Sequence, residues 1–181
     1  MMKSKKNSGS FRLQQYWSWI LYSVVVLVVA LLQTSPNGFP VIAFARPTPL
    51  VLFVVCVAML EGPAVGSVMG VVAGLLWNLY SSRVFGYYGL MLMAIGLTVS
   101  LLVQWLLRAN FLSAMLLCVG GVTVYTLLDW LLCYVLFLHD EMGTVLVRVY
   151  LPNALYTILL SPLMYWLVLT LARFLRRKKE T

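Results

Sequence analysis

The sequence predicts an all-α integral membrane protein, built as a bundle of six transmembrane helices. Three observations carry this prediction. Hydrophobic residues make up 62% of the 181 positions and charged residues only 10%, which is more apolar surface than a soluble domain of this length buries. The apolar residues form runs separated by short polar or proline- and glycine-rich links. Basic residues gather at both ends of the chain, so both termini are expected in the cytoplasm, which requires an even number of spans.

The first span is predicted at residues 16–32, after a basic cytoplasmic N-terminal segment at 1–15. Tyr16 and two tryptophans open the run, as aromatic residues do at a membrane interface. A basic start before an apolar run is also typical of a signal peptide, and residues 43–45 offer an Ala-Phe-Ala cleavage site. That site lies well beyond the run, and the run is long for a signal peptide, so we interpret it as an uncleaved span.

The second and third spans are predicted at residues 48–60 and 63–80. The second is short, because about 20 apolar residues normally cross a bilayer. One kinked helix over both runs would leave an odd number of spans, with the two basic termini on opposite sides of the membrane. Gly62 and Pro63 separate the runs, and proline suits the first turn of a new helix. We therefore expect a helical hairpin.

The remaining spans are predicted at residues 87–107, 111–138 and 149–174, followed by a basic cytoplasmic tail at 175–181. The fifth span is long enough to require tilt, and Pro162 is expected to kink the sixth. Aromatic residues near the ends of the spans are interpreted as interfacial anchors, among them Tyr80, Trp105 and Tyr150. Most of the 13 basic residues fall on the cytoplasmic side of this topology, in agreement with the positive-inside rule.

Glycines recur every four residues through the third span, at Gly62, Gly66, Gly70 and Gly74. A glycine inside a helix costs about 1 kcal/mol relative to alanine. Four in register therefore predict a helix face without side chains, which a second helix can approach closely. Two interpretations stay open and can coexist: the groove packs against another helix of this chain, or it receives the helix of a partner protein.

Asp129 is the only acidic residue deep inside an apolar run, where a lone carboxylate costs several kcal/mol. Asn78 and Asn153 are expected at similar depth, and Arg83 or Arg148 can reach inward from the loops. The sequence thus predicts an intramembrane polar cluster of Asn78, Asp129 and Asn153. It is either a hydrogen-bonded clamp that fixes helix register or a binding site for a ligand or partner. A proton relay would need more titratable groups.

Several classes of function are excluded by what the sequence lacks. It has no phosphate-binding loop, nucleophile elbow or spaced set of metal ligands, so neither an enzyme nor a cofactor or metal site is expected. His139, Asp140 and Glu141 are adjacent and are interpreted as a solvated turn. The three cysteines lie in apolar runs and are interpreted as core residues. The net charge of +8 reflects topology and contact with anionic lipids rather than nucleic-acid binding.

Short motifs follow one another in a fixed order along the chain: LLQT at 31–34, RPTPL at 46–50, GP at 62–63, LLWNL at 75–79, LPNA at 151–154 and SPL at 161–163. Within the six-span frame they resemble the MreD family of bacterial rod shape-determining membrane proteins, over nearly the whole chain. One position departs from the family, which often has an aspartate where this chain has Asn78. A charge-dependent role there would be limited to hydrogen bonding.

The resemblance implies a non-enzymatic scaffold or adaptor of the cell-elongation machinery in the bacterial cytoplasmic membrane. Such a protein helps to maintain rod shape and to direct lateral peptidoglycan synthesis by docking partner helices. The implied partners are a single-pass MreC-like protein, whose helix is the expected occupant of the glycine groove, together with MreB, RodA, a class B penicillin-binding protein and membrane lipids.

The resemblance also implies the fold of the substrate-capture subunits of energy-coupling factor transporters. A vitamin-binding subunit of that kind is therefore the alternative function. It would need an external pocket rich in hydrogen-bonding side chains. The outer half of the bundle offers few candidates, namely Asn78, Tyr125, Asp129 and Asn153.

Overall fold

The computed structural model describes residues 6–35, 46–81, 84–106, 110–132 and 146–177, with side chains from Trp19 to Leu175 within those ranges. All regular elements in these ranges are helical, as predicted. They are α1 (Lys6–Thr34), α2 (Pro49–Glu61), α3 (Pro63–Leu79), α4 (Tyr87–Trp105), α5 (Phe111–Trp130), a π-helical turn (Leu146–Tyr150), α6 (Leu151–Leu159) and α7 (Ser161–Arg177).

The short helix α2 lies at the centre of the bundle. Every residue from Pro49 to Met59 is buried, and α1, α3, α4, α5 and α7 all contact α2. A helix that is apolar on all sides is typical of complete burial. Cys56 of α2 faces Cys118 of α5, with the two sulfurs 3.8 Å apart and not bonded. Both cysteines are buried core residues, as predicted.

The burial of α2 explains how so short a helix is tolerated. Its 13 residues extend about 20 Å at about 1.5 Å each, well short of the roughly 30 Å of bilayer hydrocarbon. Because protein surrounds it, its ends need polar partners inside the bundle rather than contact with water. Gln33 of α1 accepts a hydrogen bond from the backbone N–H of Leu50 at 3.2 Å. At the other end, Ser100 of α4 donates to the carbonyl oxygen of Ala58 at 2.8 Å.

The chain reverses direction between α2 and α3 at Gly62. This residue has a φ of 90°, a conformation that residues with a side chain rarely adopt. Pro63 then occupies the first position of α3, where its missing N–H is harmless. Gly66 of α3 packs against Ala58 of α2, a contact that one continuous helix would not permit. The two runs therefore form a hairpin.

Among the described residues, α4 and α5 are each long and apolar enough to cross a membrane. The π-helical turn with α6 and α7 forms a third candidate span, which is bent by 44°. The bend lies beside Pro162, where the sequence predicts a kink, because proline lacks the N–H that would bond to the carbonyl of Ile158. The part of α1 after Trp19, α2 and α3 are apolar but shorter. The structure supports an α-helical membrane protein, and the count of six spans stays a prediction.

Some observed helices extend beyond the predicted spans, which stay predictions, and some predicted segments lie beyond the described residues. Helix α1 begins at Lys6, well before the predicted start at residue 16. The predicted fifth span, 111–138, extends past the described part of the chain. Cys133, the turn at 139–141 and Arg83 also lie outside the described residues.

Candidate functional site

The glycine groove of α3 is filled by α4 of the same chain. The two helices are antiparallel, and Gly66, Gly70 and Gly74 meet successively earlier positions of α4. A Cβ atom built on Gly70 would lie 2.5 Å from the carbonyl oxygen of Leu92, and one built on Gly74 would collide with the backbone of Tyr88. The backbones of α3 and α4 are thus in direct contact, which only small residues allow.

This packing decides how the groove is used in the structure. The interpretation of contact within the chain holds, and a partner helix has no space on the same face while α4 lies there. Partner docking at Gly66, Gly70 and Gly74 would require α4 to move off this face, and it stays a prediction. Gly62 differs from the other three glycines, since a Cβ atom built there would meet nothing within 4 Å, so this residue does not contact α4. Its role is the turn between α2 and α3.

Asp129, near the end of α5, connects that helix to two other elements. It is buried and accepts a hydrogen bond at each carboxylate oxygen, from the hydroxyl of Tyr87 at 3.1 Å and from that of Tyr150 at 2.8 Å. Tyr87 begins α4, and Tyr150 ends the π-helical turn before α6. These two hydrogen bonds join the start of α4 and the turn before α6 to α5, so Asp129 holds the three elements together.

Asn78 and Asn153 each fix a segment next to the start of a helix. The side chain of Asn78 donates to the carbonyl oxygen of Val84 at 2.9 Å and accepts from the backbone N–H of Tyr88 at 3.2 Å. It thereby fastens the end of α3 to the start of α4. Asn153 of α6 accepts from the backbone N–H of Arg46 at 2.8 Å, which fixes the segment that leads into α2.

The three predicted polar residues therefore lie at the same end of the bundle, but each bonds to different partners. In these hydrogen bonds each side chain clamps a different set of segments, and one polar cluster of the three stays a prediction. Asp129 and Asn153 also line a cavity, whereas Asn78 is not among its lining residues. Arg148 is exposed and does not line the cavity either.

The cavity has a volume of about 420 Å³ and opens between the end of α1, the segment before α2, the ends of α3 and α5, and the start of α6. Charged, polar and aromatic side chains share its walls, among them Arg46, Trp77, Tyr125, Asp129, Tyr150 and Asn153. Small-ligand sites have volumes in this range and combine aromatic walls with a few convergent polar groups.

Aromatic rings form one wall of the cavity. Trp77 stacks on Tyr88 with ring centroids 4.5 Å apart, and its centroid lies 5.6 Å from that of Tyr125. Sequence reasoning missed Trp77 and interpreted Tyr150 as an interfacial anchor. Tyr125 was among the residues expected for an external pocket, and it lies one helical turn before Asp129, on the same face of α5.

A family model matches residues 12–175 of the chain, and its description is rod shape-determining protein MreD. The chain belongs to the MreD family. The resemblance drawn from the motifs is thereby confirmed, and family membership gives this chain a role in rod-shape determination. MreD-family chains are shape-determining membrane proteins rather than a known enzyme family, and the apolar helices fit a bacterial membrane location.

No match was found among the curated proteins or among the solved structures. The likeness of this MreD-family chain to the substrate-capture subunits of transporters therefore stays a prediction. Within the described ranges, no three histidine, cysteine or acidic side chains are grouped so as to hold a metal ion.

Proposed function

We propose that this MreD-family chain is a non-enzymatic scaffold of the bacterial cell-elongation machinery. It crosses the cytoplasmic membrane six times with both termini in the cytoplasm, and it holds the transmembrane helices of partner proteins. In this way it helps to maintain rod shape and to direct lateral peptidoglycan synthesis. A single-pass MreC-like protein is the first partner, with MreB, RodA and a class B penicillin-binding protein in the same complex. The family match over residues 12–175 carries the proposal.

The use of polar side chains supports a structural role. Asn78, Ser100 and Asp129 are buried, and their hydrogen bonds join helices of this chain to one another or to the links between them. Buried hydrogen bonds of this kind specify one arrangement of the helices. A bundle fixed in this way presents a constant outer surface to partner helices, as a scaffold requires.

A partner helix needs a bare face that this chain leaves open, and α5 has one. A Cβ atom built on Gly120 would meet nothing within 4 Å, in contrast to the filled face of α3. Gly120 lines an apolar groove of about 390 Å³ between α4 and α5, together with the small residues Ala94 and Thr98. Small residues allow close helix association in a bilayer, and the helix of the MreC-like partner is therefore the proposed occupant of this α4–α5 groove.

The substitution Gly120→Leu tests this docking surface, because it adds a side chain where the partner's backbone would lie. We expect the variant to insert in the membrane and to unfold at the wild-type temperature. Co-purification of the MreC-like partner from detergent should fall by about tenfold or more, since a clash of about 1.4 kcal/mol already weakens binding that much. Unchanged recovery of the partner would reject the α4–α5 groove.

Gly70→Leu is the matched control, because the same change is made on the face that α4 fills. Its new side chain would overlap the backbone at Leu92. We therefore expect overpacking to lower the free energy of unfolding by about 1–3 kcal/mol. Wild-type stability of Gly70→Leu would contradict the described packing of α3 on α4.

The cavity favours a second function, that of a substrate-binding subunit of an energy-coupling factor type vitamin transporter. Its size and polar lining are those that such a subunit needs. Co-purification with a pair of ATPases, and release of a vitamin on denaturation, would support this function. Recovery of the MreC-like protein without a released vitamin would support the scaffold.

A further inference from the structure

We propose that the cavity beside Asp129 binds a small zwitterionic ligand, with an ammonium group at one end and a phosphate-like anionic group at the other. The ammonium group lies against Asp129, and the anionic group faces Arg46. This inference concerns the chemistry of the cavity walls and does not rest on the scaffold function.

The ammonium end follows from the position of Asp129. This residue lines the cavity and is only 5% exposed. Its two oxygens are fixed by the hydroxyls of Tyr87 and Tyr150, so the negative charge has a defined place in the wall. Opposite charges attract more strongly where water is excluded, and a carboxylate in such a wall favours a cationic ligand group.

Aromatic side chains beside Asp129 favour the same group. Trp77, Tyr125 and Tyr150 all line the cavity. The faces of tryptophan and tyrosine rings attract ammonium ions, and the attraction grows as water is removed. A carboxylate combined with aromatic rings therefore selects an ammonium group over a neutral group of equal size.

The anionic end follows from Arg46. Its side chain lines the cavity and is exposed, while its backbone N–H is held by Asn153. The backbone that carries this side chain is thus fixed at the wall of the cavity. Arginine binds phosphate through paired hydrogen bonds. The cavity accordingly offers one positive and one negative group to a ligand that carries both charges.

Two sources supply this chemistry: a free solute such as phosphoethanolamine, and the headgroup of the lipid phosphatidylethanolamine. Both carry an ammonium group two carbons from a phosphate. The shared headgroup chemistry is the content of the proposal, and the two sources are separated by the lipid arm of the test below.

Calorimetric titration of the full chain in detergent tests the charges with three probes. Phosphoethanolamine has both groups, ethanolamine has only the ammonium group, and glycerol 3-phosphate has only the phosphate. We expect phosphoethanolamine to bind about tenfold or more tightly than either single-charge probe. Asp129→Asn should lower its affinity to that of glycerol 3-phosphate, and Arg46→Gln should lower it to that of ethanolamine.

The lipid arm places the protein in nanodiscs of phosphatidylglycerol, with or without phosphatidylethanolamine. If the headgroup is the ligand, wild-type protein retains phosphatidylethanolamine through purification and Asp129→Asn does not. If the free solute is the ligand, phosphoethanolamine binds equally in both kinds of nanodisc. Either result supports the proposal.

Three results would overturn it: no binding of any amine probe together with no retained phosphatidylethanolamine, equal affinity for glycerol 3-phosphate and phosphoethanolamine, or wild-type affinity in Asp129→Asn. Should Asp129→Asn not fold, Arg46→Gln decides, because this exposed side chain is not needed for packing. The proposal requires that Arg46→Gln lowers the affinity for phosphoethanolamine and leaves the affinity for ethanolamine unchanged. Co-purification of the MreC-like partner is measured with the same variants. If the partner is still recovered while phosphoethanolamine binding is lost, the ligand proposal is tested separately from the scaffold function.

Discussion

Asn78 and Asn153 carry the same amide group but use it differently. Asn78 donates to the carbonyl oxygen of Val84 and accepts from the N–H of Tyr88, whereas the oxygen of Asn153 accepts from the N–H of Arg46. Aspartate keeps the acceptor and loses the donor. The same substitution is therefore expected to have different effects at the two positions.

We expect Asn78→Asp to lower the free energy of unfolding by about 1–3 kcal/mol, because a hydrogen bond is lost and two oxygen acceptors come to face each other. Asn153→Asp is the matched control and should have a smaller effect, since the acceptor for Arg46 is retained. Chemical unfolding in detergent compares the two variants. Equal losses would contradict the bonding described for Asn78.

The importance of Asp129 follows from its sequence context, but its partners do not. A lone carboxylate in an apolar run must find polar neighbours, and this much is visible from the sequence. Tyr87 and Tyr150 belong to other elements, and the sequence gives only their depth in the membrane. Which tyrosine turns inward depends on how each helix is rotated in the bundle, and this is set by packing.

At the scale of elements, the glycine spacing predicts a helix and its bare face. Helix α3 is observed at Pro63–Leu79 and α4 begins at Tyr87, whereas the membrane spans over these runs stay predictions. The spacing does not say which helix fills the groove, because contacts within and between chains use the same small residues. The short link before α4 favours the neighbour in sequence, since consecutive elements usually pack together.

The central position of α2 gives a prediction of its own. Leu52 is completely buried in α2, whereas Leu90 of α4 is 72% exposed. Leu52→Ala should lower the free energy of unfolding by about 2–5 kcal/mol, because it leaves a cavity in the core. Leu90→Ala should change it little, since lipid or detergent takes the place of the lost side chain. Thermal unfolding in detergent compares them, and similar losses would show that α2 is not at the centre.

At the scale of the whole molecule, the polar clamps and the cavity share one end of the bundle, and the turn at Gly62 lies at the opposite end of α2. Tyr22 of α1 donates to Glu61 at 2.9 Å beside that turn, so both ends of the central hairpin are tied to other helices. A bundle whose helices are hydrogen-bonded to one another at both ends can bind a partner helix without rearranging its own helices. The α4–α5 groove is the surface that we propose for this contact.

Photocrosslinking in cells tests this contact most directly. A photoreactive residue at Thr98 lies in the α4–α5 groove, and one at Leu27 lies on an exposed face of α1. We predict a crosslink from Thr98 to the MreC-like protein and none from Leu27. A crosslink from Leu27 alone, or from neither position while the partner still co-purifies, would contradict a scaffold that holds its partner in this groove.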